Sequence, residues 1–340
     1  MEEFPGHRTG PNRAVSNDRA VSNDRAVSND WSLFGQSRVT GQSIDLSRSS
    51  PVPTEQVSFQ RSRMRIPHGL KFAGIAALND EAIDLALAGL VIASDEYPGL
   101  NIQNYVDELD QICKRAREAV SGLSDPSDML EAINSVLFLE YRYHGNRQNY
   151  YDPRNSYLNQ VIDRRTGIPI TLSIVYMAVA DSVGLRVSGV GMPGHFLVKH
   201  SGPRGEIYID PFNSGRLIDA AGCARLVKEA SNGNIELRSE HLVAVSKKQI
   251  LTRVLTNLLA IYSEAKDFAR AIRVLDLILM IHPNEPARVR DRGLLLAASG
   301  RARESIESLE QYMRLSPGAS DAGEMINNIK RIKARLSTLN

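Results

Sequence analysis

The chain has 340 residues, of which 42% are hydrophobic and 24% charged, and its formal net charge is +2. This length suits two folded domains plus some additional chain, and so small a charge does not indicate a nucleic-acid or membrane partner. The two cysteines, Cys113 and Cys223, are too few for a disulfide framework or a cysteine-rich metal site. With no signal peptide and no apolar run long enough to cross a bilayer, the sequence predicts a soluble cytoplasmic protein without cofactors.

The start of the chain, 1–65, is predicted to be a disordered leader. Three tandem copies of Arg-Ala-Val-Ser-Asn-Asp occupy positions 13–18, 19–24 and 25–30. Few large apolar residues accompany them, so burial cannot offset the entropy lost on ordering. A passive leader is favoured over a binding tail.

Apolar residues at helical spacing predict a mainly helical stretch between residues 70 and 145. Thr166-Gly167-Ile168-Pro169 then predicts a further helix, with proline in its first turn and Gly184 at its end. Strand patterns follow at Leu185–Val190, Phe196–His200 and Glu206–Asp210, and a turn at 211–215. Helices followed by antiparallel strands are typical of the α+β class.

Hairpin geometry predicts a contact between His195 and Asp210. If Ser201–Arg204 is a four-residue loop, His200 faces Gly205, and His195 stands directly opposite Asp210 on one face of the sheet. A carboxylate in that place can fix the tautomer of the imidazole and stabilise its charged form. A structural pair and a catalytic pair both agree with this spacing.

Two other patterns point to sites that we reject. Residues 189–194 satisfy G-x-G-x-x-G, but that dinucleotide fingerprint must open a helix, and a strand is predicted after it. His195 and His200 could suggest a metal site. A separation of five residues places them on opposite faces of a strand, and zinc-ligand spacing is absent around them.

After residue 248 the chain is helical and repeats itself. The spacing between Pro283 and Pro317 equals the period of a tetratricopeptide repeat. Two repeats are few for a free solenoid, so we expect them to pack against the preceding domain. Tyr262 and Tyr312 could hold a peptide in a repeat groove, but their positions usually pack helix against helix.

Four sequence blocks occur in a characteristic order: Tyr150–Asn159, Arg164–Ile170, Gly189–Phe196 and Tyr208–Phe212. They resemble the bacterial SirB family, a transglutaminase-like branch usually fused to tetratricopeptide repeats. The resemblance runs from about Leu85 to the C-terminus. It divides the chain after the leader into a transglutaminase-like domain, 66–247, and a repeat region, 248–340.

The resemblance implies a papain-like α+β core. In active relatives a cysteine at the start of the central helix works with a histidine and an aspartate on adjacent strands, and the helix dipole favours its thiolate. His195 and Asp210 match the histidine and aspartate. Pro169 stands at the cysteine position, and proline cannot act as a nucleophile.

Other residues near the motif are harder to assign. Asn155, Asn159, Arg164, Pro169 and Thr171 are predicted to line a cleft beside the His–Asp pair, although asparagine also braces turns.

The remaining candidate nucleophiles are poorly placed. Thr171 and Ser173 carry hydroxyls on the first turns of the central helix, offset from the nucleophile position. Cys113 and Cys223 are expected to be buried structural residues.

The resemblance and the missing sulfur predict a non-catalytic transglutaminase-like protein that binds a protein or peptide partner. The alternative is a hydrolase or acyl transferase that uses His195 and Asp210 with an unconventional nucleophile. A purely regulatory role is suggested by the family label alone.

Overall fold

The computed structural model describes residues 71–337, so the predicted leader lies outside the described residues. The first five helices are α1 (Phe72–Ala76), α2 (Leu85–Glu96), α3 (Ile102–Ala119), α4 (Pro126–Asn134) and α5 (Leu158–Arg164), and a π-helix, Ser135–Glu140, continues α4. Asp84 and Asp125 cap α2 and α4 by accepting hydrogen bonds from main-chain N–H groups of the first turn. The predicted helical first part is confirmed.

The central helix α6 (Pro169–Ser182) is the most deeply buried element. Every residue from Pro169 to Ala180 is buried, because the sequence is apolar on all sides of the helix. Helices α2, α3 and α5 pack against it. Its predicted start at Pro169 is confirmed, and Gly184 follows its end with a φ of 75°.

A four-stranded antiparallel sheet packs on α6. In spatial order its strands are β3 (Ser188–Met192), β4 (His195–Gly202), β5 (Gly205–Asp210) and β6 (Arg216–Ile218). Helix α7 (Ala220–Ala230) contacts the last three strands and closes a second, smaller core. Two short strands, β1 (His144–Gly145) and β2 (Thr166–Gly167), form a separate parallel pair. This mixture is the expected α+β class.

The predicted register of the β4–β5 hairpin is wrong by two residues. Gly202 pairs with Gly205 and His200 with Ile207, so the loop is the two-residue Pro203–Arg204. Two-residue loops are the commonest hairpin connections because their twist matches that of the strands. A shift of two residues keeps each side chain on its face, so His195 and Asp210 become diagonal neighbours.

The β3–β4 connection is also a tight hairpin. Met192 pairs with His195 around Pro193-Gly194, and Gly194 has a φ of 72°, as expected for glycine after proline in a type II turn. Strand β3 begins at Ser188, three residues later than predicted. Since the G-x-G-x-x-G pattern lies in this hairpin, it lacks the strand-to-helix context that dinucleotide binding needs.

The C-terminal helices repeat with the predicted period. They are α8 (Lys247–Glu264), α9 (Phe268–Ile281), α10 (Pro286–Ala298), α11 (Ala302–Leu315) and α12 (Ala322–Ser337). Helices α9 and α11 begin one repeat period apart, at Phe268 and Ala302, and their ends, Ile281 and Leu315, have the same spacing. Helix α12 packs against α11 and closes the array. Within residues 71–337, none of the helices combines the length and apolarity needed to cross a membrane.

The first repeat shares the main hydrophobic core of the preceding domain, as expected. Buried apolar residues of α8 and α9, including Leu255, Leu258 and Leu275, belong to the same cluster as those of α6. Polar contacts join the two regions as well: Glu96 binds Arg270 and Arg273 at 2.7 and 2.8 Å. Helices α10 to α12 surround a separate cluster.

Tyr262 and Tyr312 pack helices together. Tyr262 is 6% exposed, and its hydroxyl lies 2.9 Å from that of Tyr157 in the transglutaminase-like domain. Tyr312 is 5% exposed and donates to Asp321 at 2.5 Å. Their burial supports the packing role rather than a peptide groove.

The buried Tyr157–Tyr262 hydroxyl pair leads to a first prediction. Tyr157→Phe should lower the free energy of unfolding by about 1–2 kcal/mol, because it leaves the Tyr262 hydroxyl buried without its partner. Tyr262→Phe should cost a similar amount, and the double variant should cost less than the sum of the two. Urea unfolding measures all three, and additive losses would contradict a coupled pair.

Candidate functional site

His195 and Asp210 meet where β4 begins and β5 ends. Nε2 of His195 lies 3.0 Å from Oδ2 of Asp210, and the two side chains are 13% and 1% exposed. The two atoms are in close contact, but their geometry is not that of a directed hydrogen bond. The predicted meeting of the two residues is confirmed, and their catalytic role stays a prediction.

Asp210 is held from its other side by Asn213, in the 3-10 turn Pro211–Asn213. The Asn213 main-chain N–H and Nδ2 donate to the carboxylate at 3.2 and 2.6 Å. Burial acts to raise the pKa of Asp210, but the His195 imidazole and the two Asn213 donors outweigh it and hold the pKa below its ordinary value. Asp210 is therefore a carboxylate bound on two sides inside the fold.

The start of α6 presents no free hydroxyl to this pair within the described structure. Pro169 is the first helical residue and is buried. Thr171 Oγ1 accepts from the Ile168 N–H at 3.2 Å and donates to the Asn155 carbonyl at 2.7 Å. Ser173 Oγ donates to the Pro169 carbonyl at 2.7 Å. Both hydroxyls serve the main chain and are 1% or less exposed.

Both thiols lie in hydrophobic cores, as expected. Cys113 Sγ contacts the Ala178 carbonyl at 3.8 Å. Ala178 is nine residues after Pro169 in α6, so the two residues are separated by about 13 Å along the helix axis. Cys223 is 0% exposed beneath β4 and β5, where burial first, and then nearby Asp219, raise its pKa to about 12. The environment of Cys223 therefore disfavours a thiolate.

The predicted cleft residues are mostly buried. Asn155 is 0% exposed and donates from Nδ2 to the carbonyls of Asn149 and Tyr150, at 2.7 and 3.1 Å. Asn159 is 2% exposed, Pro169 and Thr171 are buried, and Arg164 is 26% exposed. Asn155 thus braces the loop before α5. A cleft role for this group stays a prediction.

An aromatic surface, consisting of Arg147, Tyr150, Tyr151 and Phe212, leads from the His–Asp pair to solvent. The Phe212 ring lies edge to face with His195 and with Tyr150, at 6.2 and 6.1 Å between centroids. Tyr150 meets Tyr151 in the same way at 5.3 Å, and the Arg147 guanidinium lies 5.3 Å from the Phe212 ring centre. This surface was not predicted from the sequence, although Tyr150-Tyr151 opens the first family block.

Arg253 on α8 is a second residue that sequence reasoning missed. Its Nη2 donates to the carbonyls of His195 and Met192 at 3.0 and 3.3 Å, and its guanidinium lies 5.3 Å from the Phe196 ring centre. Burial lowers its pKa to about 10. The local sequence of α8 does not distinguish Arg253 from an ordinary arginine on the polar side of an amphipathic helix. The first repeat helix therefore supports the turn that carries His195.

His200 lies apart from this site. Its Nδ1 is 2.9 Å from the Arg186 carbonyl, and it is 8% exposed. Within residues 71–337, no group of three or more histidine, cysteine, aspartate or glutamate side chains is arranged so that it could hold a metal ion.

Comparison with known proteins agrees with this architecture. A family model of the transglutaminase-like superfamily matches residues 103–256, and a tetratricopeptide-repeat model matches residues 258–329. Together with the fold, these matches define a transglutaminase-like protein with a C-terminal repeat region. A UPF0162 protein of Xylella fastidiosa is 37% identical over 72% of this chain and 88% of its own length. The chain therefore belongs to the SirB-type family that includes the UPF0162 proteins.

Two other relatives extend the comparison. Protein SirB1 of Salmonella typhimurium is 24% identical over 67% of this chain and 86% of its own length. F-box only protein 21 of Mus musculus is 33% identical over 47% of this chain, and the match covers 26% of that protein.

Asp210→Asn tests the buried carboxylate. Because the folded-state pKa is lowered, the carboxylate stabilises the fold above its unfolded pKa, and this contribution is lost as the pH falls through the folded pKa. We expect the Asn variant to reduce the free energy of unfolding by about 2 kcal/mol at pH 7. This difference from wild type should shrink as the pH falls below 3.8, the ordinary pKa of an aspartate side chain. Urea unfolding across pH measures this; a difference that grows in acid would contradict it.

Arg253→Met should loosen the β3–β4 turn. It removes donors from two carbonyl groups, which should accelerate amide hydrogen exchange at Met192–His195 and lower the free energy of unfolding by about 1–3 kcal/mol. Arg301→Met, at an exposed ion pair with Glu304, is the control. Equal exchange rates in both variants would remove the positioning role of Arg253.

Proposed function

We propose that this protein is a non-catalytic member of the transglutaminase-like superfamily that acts by binding a protein or peptide partner. The observation that carries the proposal is the start of α6. Proline is the first residue of this helix, where the family resemblance places the catalytic cysteine of active relatives. The nearby Thr171 and Ser173 hydroxyls are bonded to the main chain, and both thiols are buried. Acyl transfer needs a nucleophile within reach of its base.

The His–Asp pair has a structural use that accounts for its presence without chemistry. Asp210 joins the first residue of β4 to the turn that follows β5, through His195 and Asn213. Removing either partner would leave a buried charged or polar group without compensation. Such a pair stabilises this end of the two central strands whether or not a substrate is present.

Repeat helices and exposed aromatic side chains support binding. Tetratricopeptide arrays form extended surfaces on which partners can lie, and Tyr150 and Tyr151 are 36% and 57% exposed.

Both cysteines are free thiols, in keeping with the reducing cytoplasm in which we propose the protein acts. We also retain 66–247 and 248–340 as the proposed domain limits.

The alternative is a hydrolase or acyl transferase with an unconventional nucleophile, and the 3.0 Å His–Asp contact is the observation in its favour. Amine incorporation, deamidation and peptide hydrolysis should be assayed for wild type and His195→Ala. We expect both proteins to match the rate without protein. Turnover that wild type supports and His195→Ala loses would establish the alternative.

Native thiol reactivity gives an independent test. We expect iodoacetamide to label neither cysteine at neutral pH, because Cys113 and Cys223 are 2% and 0% exposed and the pKa of Cys223 is about 12. Unfolding in urea should expose both to labelling, which serves as the positive control. Rapid labelling of one folded thiol, located by mass spectrometry, would indicate a thiol enzyme instead.

A further inference from the structure

We propose that the aromatic surface of Arg147, Tyr150, Tyr151 and Phe212, with Arg154 at its border, docks an acidic peptide segment of a partner protein. This inference rests on the proposed binding function and adds where the partner binds and what its chemistry is. It also assigns the recognition to the transglutaminase-like domain rather than to the repeats.

The aromatic side chains are unusual for their exposure. Among the exposed large hydrophobic residues of the described chain, Tyr150 and Tyr151 alone are aromatic, and they are adjacent. Tyrosine provides a large contact area and a polar tip at a low cost in side-chain entropy. By contrast, Tyr262 and Tyr312 of the repeats are 6% and 5% exposed and already packed. The aromatic anchors available to a partner therefore lie beside His195.

The surroundings carry more positive than negative charge. Arg154 and Arg164 share one carboxylate, Asp152, at 2.7 and 4.0 Å. Arg147 binds the Asn213 side-chain oxygen and contacts no carboxylate within the described residues. The carboxylates of Asp152 and the buried Asp210 thus stand against three guanidinium groups, which leaves a surplus of one positive charge. Carboxylates on a partner complement this surplus, and arginine binds them in a bidentate manner.

The surface is built on a rigid base. Asn155 holds the main chain at Asn149 and Tyr150 from a fully buried position. Phe212 packs so closely on Gly145 that any side chain at that position would collide with its ring. Since the backbone behind the exposed tyrosines is fixed, a peptide can bind without a large cost of ordering the loop.

The test is a random-peptide display selection on the full chain, followed by fluorescence anisotropy with the enriched peptides carrying fluorescein. We expect the enriched peptides to be acidic and to bind more weakly as salt is raised. Tyr151→Ser should weaken their binding about tenfold. Arg154→Gln should weaken it about threefold and reduce its salt dependence.

Matched controls come from the repeat region. Ile326→Ser removes a 42% exposed apolar side chain from α12, and Arg301→Gln neutralises an ion-paired arginine on the border of α11. Both should bind the peptides as wild type does. Equal thermal midpoints of all variants and wild type would show that the fold is intact.

The outcomes separate the two proposals. Neutral or basic enriched peptides, or unchanged affinity in Tyr151→Ser, would overturn the docking surface. Peptide binding that the repeat variants abolish while Tyr151→Ser retains it would leave the binding function standing and refute this site. A selection without enriched peptides would refute both.

Discussion

The burial of α6 is the constraint on which the rest of the structure depends. Twelve successive residues, Pro169 to Ala180, are buried, so this helix must be covered on every side. Helices α2, α3 and α5, the sheet and the first repeat helix provide that cover. Covering an apolar helix so completely places its first turn inside the molecule, where the hydroxyls of Thr171 and Ser173 must bond to the main chain.

The first repeat is part of this cover rather than an appendage. Its apolar residues belong to the same core as α6, and Arg253 reaches the turn before His195. Two repeats have too few neighbours to be stable by stacking alone. Sharing the core of the preceding domain supplies the missing interface, and the second repeat and α12 then build outward around their own cluster.

Local signals predicted the parts of the fold that depend on nearby residues. Proline at the start of α6, glycine after its end and the repeat period all act within a few turns of chain. The predicted register of the β4–β5 hairpin was wrong because the register depends on the loop length alone. From the sequence, a four-residue loop is as plausible as the two-residue loop Pro203–Arg204 that the structure has. Since the error was two residues, the His195–Asp210 contact survived it.

Contacts between segments that are far apart in the chain could not be predicted from the sequence. Arg253 binds the carbonyl of His195, far earlier in the chain, and nothing in the local pattern of α8 marks it. Phe212 was assigned to a turn, but its ring joins His195 to Tyr150. Asn155 was considered for a cleft, and its burial and its two carbonyl partners became visible only in three dimensions.

The shared core has a consequence for genetics. A stop codon placed just ahead of α8 would leave Phe196 and the flank of α6 bare to water, along with the carbonyls of Met192 and His195. The shortened product would be prone to aggregate and to be degraded. Truncation alleles of this kind would consequently report the loss of the whole protein, and point substitutions are the cleaner means of dissecting its two halves.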